Sequence, residues 1–527
     1  MSRGAAPALV LLASLLVTTC VAGARDLQEP KGELWAVLVA GSAGWGNYRH
    51  QADIAHAYQI LRHGGVPASR IITLMYDDVA GHAENPFPNQ LFNRPHGPDV
   101  YEGIQIDYAG VDVTVENFLA VLAGNASALN LREGTANGVG ARRSTGRVLA
   151  TTPADKVFVY YSDHGAPGIV GMPSGPFLYA DQLHVVVATK ARHGGFAEMV
   201  IYMEACESGS MFEGLLEDNI HIYATTAANA HESSWGTYCP GMHPSPPPEF
   251  STCLGDLYSI AWMENAEHAN LTLETLKKQF QLVKQRVSQN FTYAQGSHVL
   301  RFGGMEISEE PTAEFQGELN TGDGTLGGSS AADAADVAGM QPVWAPQGAV
   351  AQRDADLLHL WHKYSEAPAG LHKAAALRQL NSEVSRRAAV DAGVAGAVGH
   401  LLSTSDALSM LRSRFGAAPG VAPLLRGAAE GPAAANALVG LLVNEALPRP
   451  AGAALVDDWE CLRGMVGTWE AACGPLDQYG MKHARAFANL CNTGLAPAHL
   501  AAAAARSCPA PAESAVLLGP DAHILQA

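Results

Sequence analysis

The chain has 527 residues, which is too long for one ordinary hydrophobic core and favours two domains joined by a linker. Hydrophobic residues make up 48% and charged residues 16%, a composition typical of a folded, water-soluble protein. The formal net charge of −18 argues against nucleic acid or an anionic membrane surface as a partner. Residues 351–527 carry 14 Lys and Arg against 15 Asp and Glu, so nearly all of the net negative charge lies in the first 350 residues.

The first 24 residues have the pattern of a secretory signal peptide. Met1–Arg3 is basic, an apolar run follows from about residue 8 to 21, and Ala22–Ala24 fits a cleavage site of small residues. No later stretch offers the roughly 18 apolar residues that a membrane span needs. We therefore expect cleavage after Ala24 and a mature protein in the secretory pathway. Three glycosylation sequons are compatible with that route: Asn125, Asn270 and Asn290.

Strand, loop and helix patterns alternate from residue 34 to about residue 304. Apolar runs predict strands at 34–40, 70–76, 157–161, 199–203 and 220–224. Helical spacing predicts a helix at 52–62, ended by Gly64, and another at 115–123, capped by Thr114 and ended by Gly124. This alternation predicts an α/β fold with a mostly parallel sheet between helical layers.

The pattern changes beyond residue 304. Residues 305–351 lose their periodicity and gain Gly, Ser, Asp and Glu, which indicates an exposed linker. From residue 352 onward the segments are rich in Ala and Leu and end in a region with four cysteines. The second domain is therefore expected to be mostly α-helical.

Two of the predicted strands each end at a residue that can do covalent chemistry. The strand at 157–161 leads into Asp163, His164 and Gly165, and the strand at 199–203 leads into Cys206. In open parallel sheets the reactive site lies beyond the carboxyl ends of the strands. A histidine and a cysteine that meet there can form a thiolate–imidazolium pair, the activated form of a sulfur nucleophile.

The remaining cysteines suit an oxidising compartment. Cys20 lies within the signal peptide, and Cys206 is the candidate nucleophile. The other six form an even set, as expected of disulfides: Cys239, Cys253, Cys461, Cys473, Cys491 and Cys508. The sequence alone leaves their pairing open.

Several longer motifs surround these residues. They are Gly44–Asp53 (GWGNYRHQAD), Glu204–Ser210 (EACESGS) and Ala224–Asn229 (ATTAAN), followed by Glu232–Ser234. With them the chain resembles the legumain family of asparaginyl endopeptidases, also called vacuolar processing enzymes, among the caspase-like cysteine peptidases. The proline-rich stretch between Cys239 and Cys253 is similar to the plant and algal branch.

The resemblance implies a domain organisation. A caspase-like peptidase domain, a mostly parallel sheet flanked by helices, would follow the signal peptide and span residues 25–304. A linker or activation region would span 305–351. Residues 352–527 would form an all-α, death-domain-like prodomain that inhibits the enzyme in cis near neutral pH.

The resemblance also implies a role for each residue of the catalytic centre. Cys206 would attack the scissile carbonyl, and His164 would take the thiol proton and later give a proton to the leaving amine. The backbone N–H groups of Gly165 and Cys206 would form the oxyanion hole. Asn47 would orient the histidine. No metal and no cofactor enters this chemistry.

The specificity pocket implied by the family recognises an asparagine side chain, which offers both a donor and an acceptor. Its residues would be Arg49, His50, Glu204, Ser233, Ser234 and Asp256. Aspartate would enter mainly when it is protonated, because it then resembles asparagine. Asp163, directly before the histidine, is a candidate for the succinimide that is linked to ligase activity in the family.

The resemblance further implies a zymogen that activates itself and acts on proteins and peptides with exposed Asn or Asp. Cleavage would fall in the linker, where the candidates are Asn320, Asp323, Asp333 and Asp336. The implied disulfides are Cys239–Cys253, Cys461–Cys491 and Cys473–Cys508. The proenzyme could form a homodimer, and the destination would be an acidic vacuole or lysosome-like compartment or the outside of the cell.

Three alternatives remain open at this point. One is a peptide ligase: Gly236 and the Pro244–Pro248 loop are hydrolase-like, whereas Ala166-Pro167 is closer to the ligases, so we expect mainly protease activity. A second is the catalytic subunit of GPI transamidase, disfavoured by the four-cysteine C-terminal region and by the missing membrane span. The third is an inactive binding protein, disfavoured by the intact Asn47, His164 and Cys206.

Overall fold

The computed structural model describes residues 32–132, 144–318, 348–428 and 431–508. The predicted signal peptide and the four candidate processing residues Asn320, Asp323, Asp333 and Asp336 lie outside these ranges. Among the helices within them, none is both long enough and apolar enough to cross a membrane.

The first part of the described chain, residues 32–318, is an α/β region. The strands of the protein are β1 (Leu34–Ala40), β2 (Ile71–Leu74), β3 (Lys156–Ser162), β4 (Gly165–Ala166), β5 (Ile169–Val170), β6 (Leu178–Tyr179), β7 (Glu198–Glu204), β8 (Ile222–Thr226), β9 (Trp235–Thr237), β10 (Gly255–Asp256), β11 (Leu300–Gly303) and β12 (Val350–Ala351). Six of them form the main sheet in the order β11-β8-β7-β3-β1-β2, and β11 alone in this sheet runs antiparallel to its neighbour. The prediction of a mostly parallel sheet is confirmed.

Helices cover both faces of this sheet. Those of the α/β region are α1 (Tyr48–His63), α2 (Val115–Ala123), α3 (Ala180–Arg192), α4 (Leu257–His268), α5 (Leu276–Val287) and α6 (Ala313–Gln316). Along β3 the side chains of Phe158 and Tyr160 join one buried apolar cluster, and those of Val157 and Val159 join the cluster on the opposite face. Because both faces are covered, a central strand reads as a continuous apolar run rather than an alternating one.

One difference from the sequence prediction lies in α1. The helix begins at Tyr48, four residues before the predicted start at residue 52. Its first turns carry Arg49, His50 and Asp53, polar side chains that are nonetheless fully buried. Because the buried side chains of these first turns are polar, the spacing of apolar residues did not indicate that the helix begins at Tyr48. The helix at 115–123 is confirmed, with the Thr114 side chain accepting a hydrogen bond from an N–H of its first turn.

The last part of the described chain, which we call the helical region (residues 352–508), has eight helices apart from short turns. They are α7 (Ala355–Glu366), α8 (Leu371–Leu402), α9 (Ser405–Phe415), α10 (Val421–Gly427), α11 (Pro432–Asn444), α12 (Trp459–Cys473), α13 (Ala484–Asn492) and α14 (Pro497–Ser507). Disulfides Cys461–Cys491 and Cys473–Cys508 join α12 to α13 and to the end of α14. The apolar core of this region also includes Ile169 and Tyr179 of the α/β region, so the two regions are docked.

Residues 305–318, which the sequence analysis assigned to the linker, are folded as part of the α/β region. Phe315 in α6 is fully buried. Lys156 at the start of β3 forms ion pairs with Glu310 and Glu314, at N–O distances of 3.3 and 3.4 Å.

Candidate active site

The main sheet brings the two candidate catalytic residues to one edge. Strands β3 and β7 are neighbours and run parallel, with Ser162 opposite Glu204 at their carboxyl ends. His164 follows β3 by two residues and Cys206 follows β7 by two residues. Cys206 is a free, buried thiol, whereas the third disulfide, Cys239–Cys253, closes a loop nearby. The three disulfides join the pairs that the resemblance implies.

His164 is oriented by an amide side chain from the start of α1. The Nε2 atom of His164 lies 2.8 Å from Oδ1 of Asn47, so Nε2 carries the hydrogen of this bond. The Asn47 Nδ2 group donates to the carbonyl of Ala43 at 2.9 Å, which fixes the orientation of the amide. The other ring nitrogen, Nδ1, is buried and has no hydrogen-bond partner among the described residues. It is therefore the nitrogen that is free to accept a proton.

The Cys206 sulfur contacts serines rather than the imidazole. Its Sγ atom lies 3.2 Å from the hydroxyl of Ser233 and 3.7 Å from that of Ser234, and within the described chain it forms no hydrogen bond to His164. Gly165 comes so close to this residue that a Cβ atom there would lie 2.2 Å from the carbonyl oxygen of Cys206. The two backbone segments expected to form the oxyanion hole are thus in direct contact.

Burial disfavours the charged forms of both Cys206 and His164 in this state. Burial raises the pKa of the Cys206 thiol, although the positive charge of Arg353 acts in the opposite direction. Burial, followed by the charge of Arg49, lowers the pKa of His164 well below its ordinary value. The thiolate–imidazolium pair expected from the sequence is therefore not the favoured form while the helical region covers the site.

The charged residues expected to form the specificity pocket lie together in a buried cluster. The Nε atom of Arg49 donates to Asp256 at 2.9 Å, and the backbone N–H and hydroxyl of Ser259 both donate to Glu204 at 3.0 Å. Three buried atoms of these pocket residues remain without a hydrogen-bond partner among the described residues: Nη2 of Arg49, Oε1 of Glu204 and Oδ2 of Asp256. The pocket therefore holds one unused donor and two unused acceptors, and a carboxamide side chain can bind the donor and one of the acceptors.

The pocket contains a third buried carboxyl group that the sequence analysis did not identify. Asp53 accepts hydrogen bonds from Asn93 at 2.7 Å and from Ser162 at 3.1 Å. Burial, and then the charge of Asp256, raise the pKa of both Asp53 and Glu204 well above the ordinary values. The sequence contained one indication of this carboxyl group. Asp53 stands four residues after Arg49, so on a helix the two side chains lie on the same face.

A segment of the chain itself occupies the site. Strand β12 pairs antiparallel with β9, and the N–H of the following residue, Gln352, donates to the carbonyl of Ser234 at 2.9 Å. The fully buried side-chain amide of Gln352 lies 3.2 Å from Nε2 of His50 and 3.4 Å from Asp256, and its oxygen accepts from the Cys206 thiol at 3.5 Å. The sequence analysis placed Gln352 only at the start of the helical domain, although glutamine is asparagine lengthened by one methylene.

The peptide bond after Gln352 is not in the position expected of a bond that Cys206 would cleave. The carbonyl oxygen of Gln352 accepts a hydrogen bond from the N–H of Ala355 in a short 3-10 turn. The Gln352 carbonyl is therefore bonded to Ala355 and not to the N–H groups of Gly165 and Cys206, which are expected to form the oxyanion hole.

Asp163 and His50 lie beside His164. Burial raises the pKa of Asp163 to about 8, so its carboxyl is neutral in acidic solution. His50, Asp163 and His164 each place one potential metal ligand within 4.8 Å of the others. However, Nδ1 of His50 is hydrogen bonded to Ser42 at 2.6 Å, and Nε2 of His164 is bonded to Asn47. Each histidine thus uses one ring nitrogen in a hydrogen bond within the site, whereas the carboxylate oxygens of Asp163 have no hydrogen-bond partner among the described residues. We assign the cluster no metal.

Comparison with known proteins bears on this arrangement. The model of the Peptidase C13 family matches residues 34–318, and the model described as the legumain prodomain matches residues 442–508. The chain is 46% identical over 478 residues to a vacuolar-processing enzyme of Citrus sinensis, which covers 90% of this chain and 85% of that protein. It is 44% identical over 524 residues to the vacuolar-processing enzyme beta-isozyme of Arabidopsis thaliana, covering 95% and 94% of the two chains. The chain therefore belongs to the peptidase C13 family and is a cysteine endopeptidase with a legumain prodomain.

Proposed function

We propose that the protein cleaves peptide bonds after asparagine, and after aspartate in acidic solution, and that it is made as a zymogen. The observation that carries this proposal is the carboxamide of Gln352 buried beside Cys206, His50 and Asp256. The unused donor of Arg49 and the unused acceptors of Glu204 and Asp256 favour a neutral side chain that has both kinds of group. A charged lysine would meet Arg49, and an apolar side chain would leave these buried groups unpaired.

In the proposed reaction the Cys206 sulfur attacks the scissile carbonyl carbon while Nδ1 of His164 accepts the thiol proton. The backbone N–H groups of Gly165 and Cys206 would stabilise the oxyanion, and Asn47 would hold the imidazole in place. Collapse of the intermediate breaks the C–N bond, the proton passes from His164 to the leaving amine, and a thioester remains on Cys206. Water then hydrolyses the thioester and releases the acid.

Latency follows from two features of the helical region. Gln352 occupies the site, and its carbonyl is held by Ala355. Gln478 accepts a hydrogen bond from Asn47 at 2.7 Å, so the helical region also contacts the residue that orients the histidine. We propose that acidic pH weakens this docking and that cleavage follows in the linker, at Asn320, Asp323, Asp333 or Asp336. The names of the relatives support a vacuolar destination reached through the secretory pathway.

Hydrolysis is proposed as the main outcome, with transpeptidation as a minor one. Gly236 in β9 lies against the occupying strand, and a Cβ atom there would lie 3.4 Å from the Val350 side chain. A larger residue would crowd a bound peptide at this point. Glycine is the hydrolase-like residue by the resemblance described above.

The test is digestion of a peptide library at mildly acidic pH, with wild type beside Cys206→Ala and cleavage positions read by mass spectrometry. We expect cleavage after Asn in the wild type, added cleavage after Asp as pH falls, and none in the variant. Cleavage after other residue types, or equal cleavage by the Cys206→Ala variant, would overturn the proposal. Adding an amine nucleophile to the assay measures the share of ligation.

A further inference from the structure

The segment that occupies the site also reaches the leaving-group side. Val350 and Ala351 pair with Gly236 and Trp235 in antiparallel register, and Gln352 enters the pocket. Arg353 follows the residue in the specificity pocket along the chain, although its backbone lies in the 3-10 turn described above. In a substrate the corresponding residue carries the amine that leaves.

The guanidinium of Arg353 is bound at two acceptors. Its Nη2 group donates to the carboxylate of Glu207 and, at 2.9 Å, to the carbonyl oxygen of Gly165. Gly165 directly follows His164, the group that would protonate the leaving amine. The side chain of Arg353 is 15% exposed and that of Glu207 is 5% exposed, so this charged pair is largely shielded from water.

Glu207 is fixed in place by its own backbone. It has a φ of +46°, a left-handed conformation that is uncommon for a residue with a side chain, and its N–H donates to the carbonyl of Glu232 at 2.8 Å. A second cation of the helical region, Arg485, lies 3.5 Å from the other carboxylate oxygen. When the helical region leaves, both cations leave with it, and the Glu207 carboxylate loses both charged partners.

We propose that Glu207 forms a subsite that selects a basic residue immediately after the cleaved asparagine. Arginine there would restore the pairing that Arg353 makes with Glu207 and Gly165, lysine could reach the carboxylate alone, and glutamate would be repelled. This inference rests on the proposed cleavage after asparagine and adds to it the identity of the next residue.

The experiment uses the full-length chain after acid activation and quenched peptides that contain Val-Ala-Asn-Xaa, with Xaa as Arg, Lys, Gln or Glu. The first three residues copy the occupying segment, with Asn in place of Gln352. We expect kcat/KM for Arg to exceed that for Gln by about tenfold, with Lys intermediate and Glu lowest. The Arg-to-Gln ratio should fall towards one in Glu207→Gln, and Glu207→Arg should favour the Glu peptide.

Glu213→Gln is the matched control, because it removes the same charge from a half-buried glutamate nearby and should keep the wild-type ratio. The wild-type profile remains informative if a Glu207 variant fails to fold. Equal cleavage of all four peptides by the wild type would overturn this inference alone. Cleavage of none of them would overturn the proposed function, and the inference with it.

Discussion

Asn47 connects the candidate catalytic histidine to the region that covers it. Its Oδ1 atom accepts from His164, and its Nδ2 group donates both to Ala43 and to Gln478 of the helical region. The bond to Ala43 does not depend on the helical region, so the amide stays oriented after activation. By bonding Nε2, this single residue leaves Nδ1 as the ring nitrogen without a hydrogen-bond partner among the described residues.

Replacing Asn47 by alanine should lower kcat of the activated enzyme by about 10- to 100-fold with little change in KM, because an orienting group acts on the histidine rather than on the substrate. Steady-state kinetics with an asparagine peptide measures this. Gln478→Ala is the matched control: it removes the neighbouring contact in the proenzyme and should leave kcat unchanged after activation. An unchanged kcat in Asn47→Ala would contradict the assigned role.

Asp163 provides a test of pH dependence. Its pKa is raised to about 8 by burial, so the unfolded chain loses this proton near pH 4 while the folded chain keeps it to about pH 8. The stability that the neutral carboxyl contributes is thus complete below pH 4 and is lost as pH rises towards 8, by at most about 1.4 kcal/mol per pH unit. In a Cys206→Ala background, Asp163→Asn should abolish this decline. Thermal unfolding from pH 4.5 to 8.5 measures it, and identical pH profiles for the two proteins would refute the assignment.

The turn between β3 and β4 shows how elements build the site. The parallel pairing of β3 with β7 puts His164 and Cys206 at one edge, and Gly165 lets the two chain segments touch. The carbonyl of Cys206 belongs to the backbone, so it cannot move aside as a flexible side chain can. The geometry of the nucleophile therefore depends on the absence of a side chain at residue 165.

Gly165→Ala should abolish detectable activity and lower the free energy of unfolding by about 2 kcal/mol, because its Cβ atom would lie 2.2 Å from the Cys206 oxygen. Denaturant unfolding and a peptide assay measure the two effects. A Cβ atom at Gly81 would meet nothing within 4 Å, so Gly81→Ala should change stability by no more than about 0.5 kcal/mol. Wild-type activity in Gly165→Ala would show that the close contact is not required.

At the scale of the whole molecule, the ion pairs between the α/β region and the helical region all have the same polarity. The ion pairs that cross between them in the described ranges each join an acid of the α/β region to a cation of the helical region. They are Glu84–Lys363, Asp181–Arg463, Glu207–Arg353 and Glu207–Arg485, and a protonated His359 would add a pair with Glu84 at 3.9 Å. This agrees with the strongly acidic charge of the first 350 residues and the near-neutral charge of the rest.

His359 on α7 should contribute to release in acid. Burial lowers its pKa while it contacts the carbonyl of Ser251 at 3.0 Å, with Glu84, Lys363 and Asp356 as the charges around it. Once undocked, the imidazole regains an ordinary pKa near 6.5, so docking is unaffected above that pH and weakens as pH falls below it. His359→Gln should therefore move the onset of activity to lower pH, by roughly half a pH unit.

The onset is measured as the pH at which the proenzyme first cleaves an asparagine peptide. His362→Gln is the control, since His362 lies half-exposed on the same helix, and it should leave the onset at the wild-type pH. An onset in His359→Gln equal to that of wild type would show that carboxylates alone set the response.

Much of the architecture was encoded in local sequence patterns. The apolar runs of β1, β3 and β7 and the Thr114 cap depend on residues within a few positions of one another, so they could be identified directly. The placing of His164 and Cys206 at one edge followed from the general geometry of parallel sheets. The role expected of Asn47 came from resemblance, and its contact with His164 appeared only in the folded chain.

Contacts between distant parts of the chain were decided by tertiary packing. Gln352 lies 302 residues after His50 in sequence, and Arg353 lies 146 residues after Glu207, yet both pairs meet in the site. No periodicity links such residues, because their meeting depends on how the helical region docks across the sheet edge. The burial of Asp53 in the pocket could not be predicted for a related reason. Its carboxylate is stabilised by partners that are distant in sequence, such as Asn93.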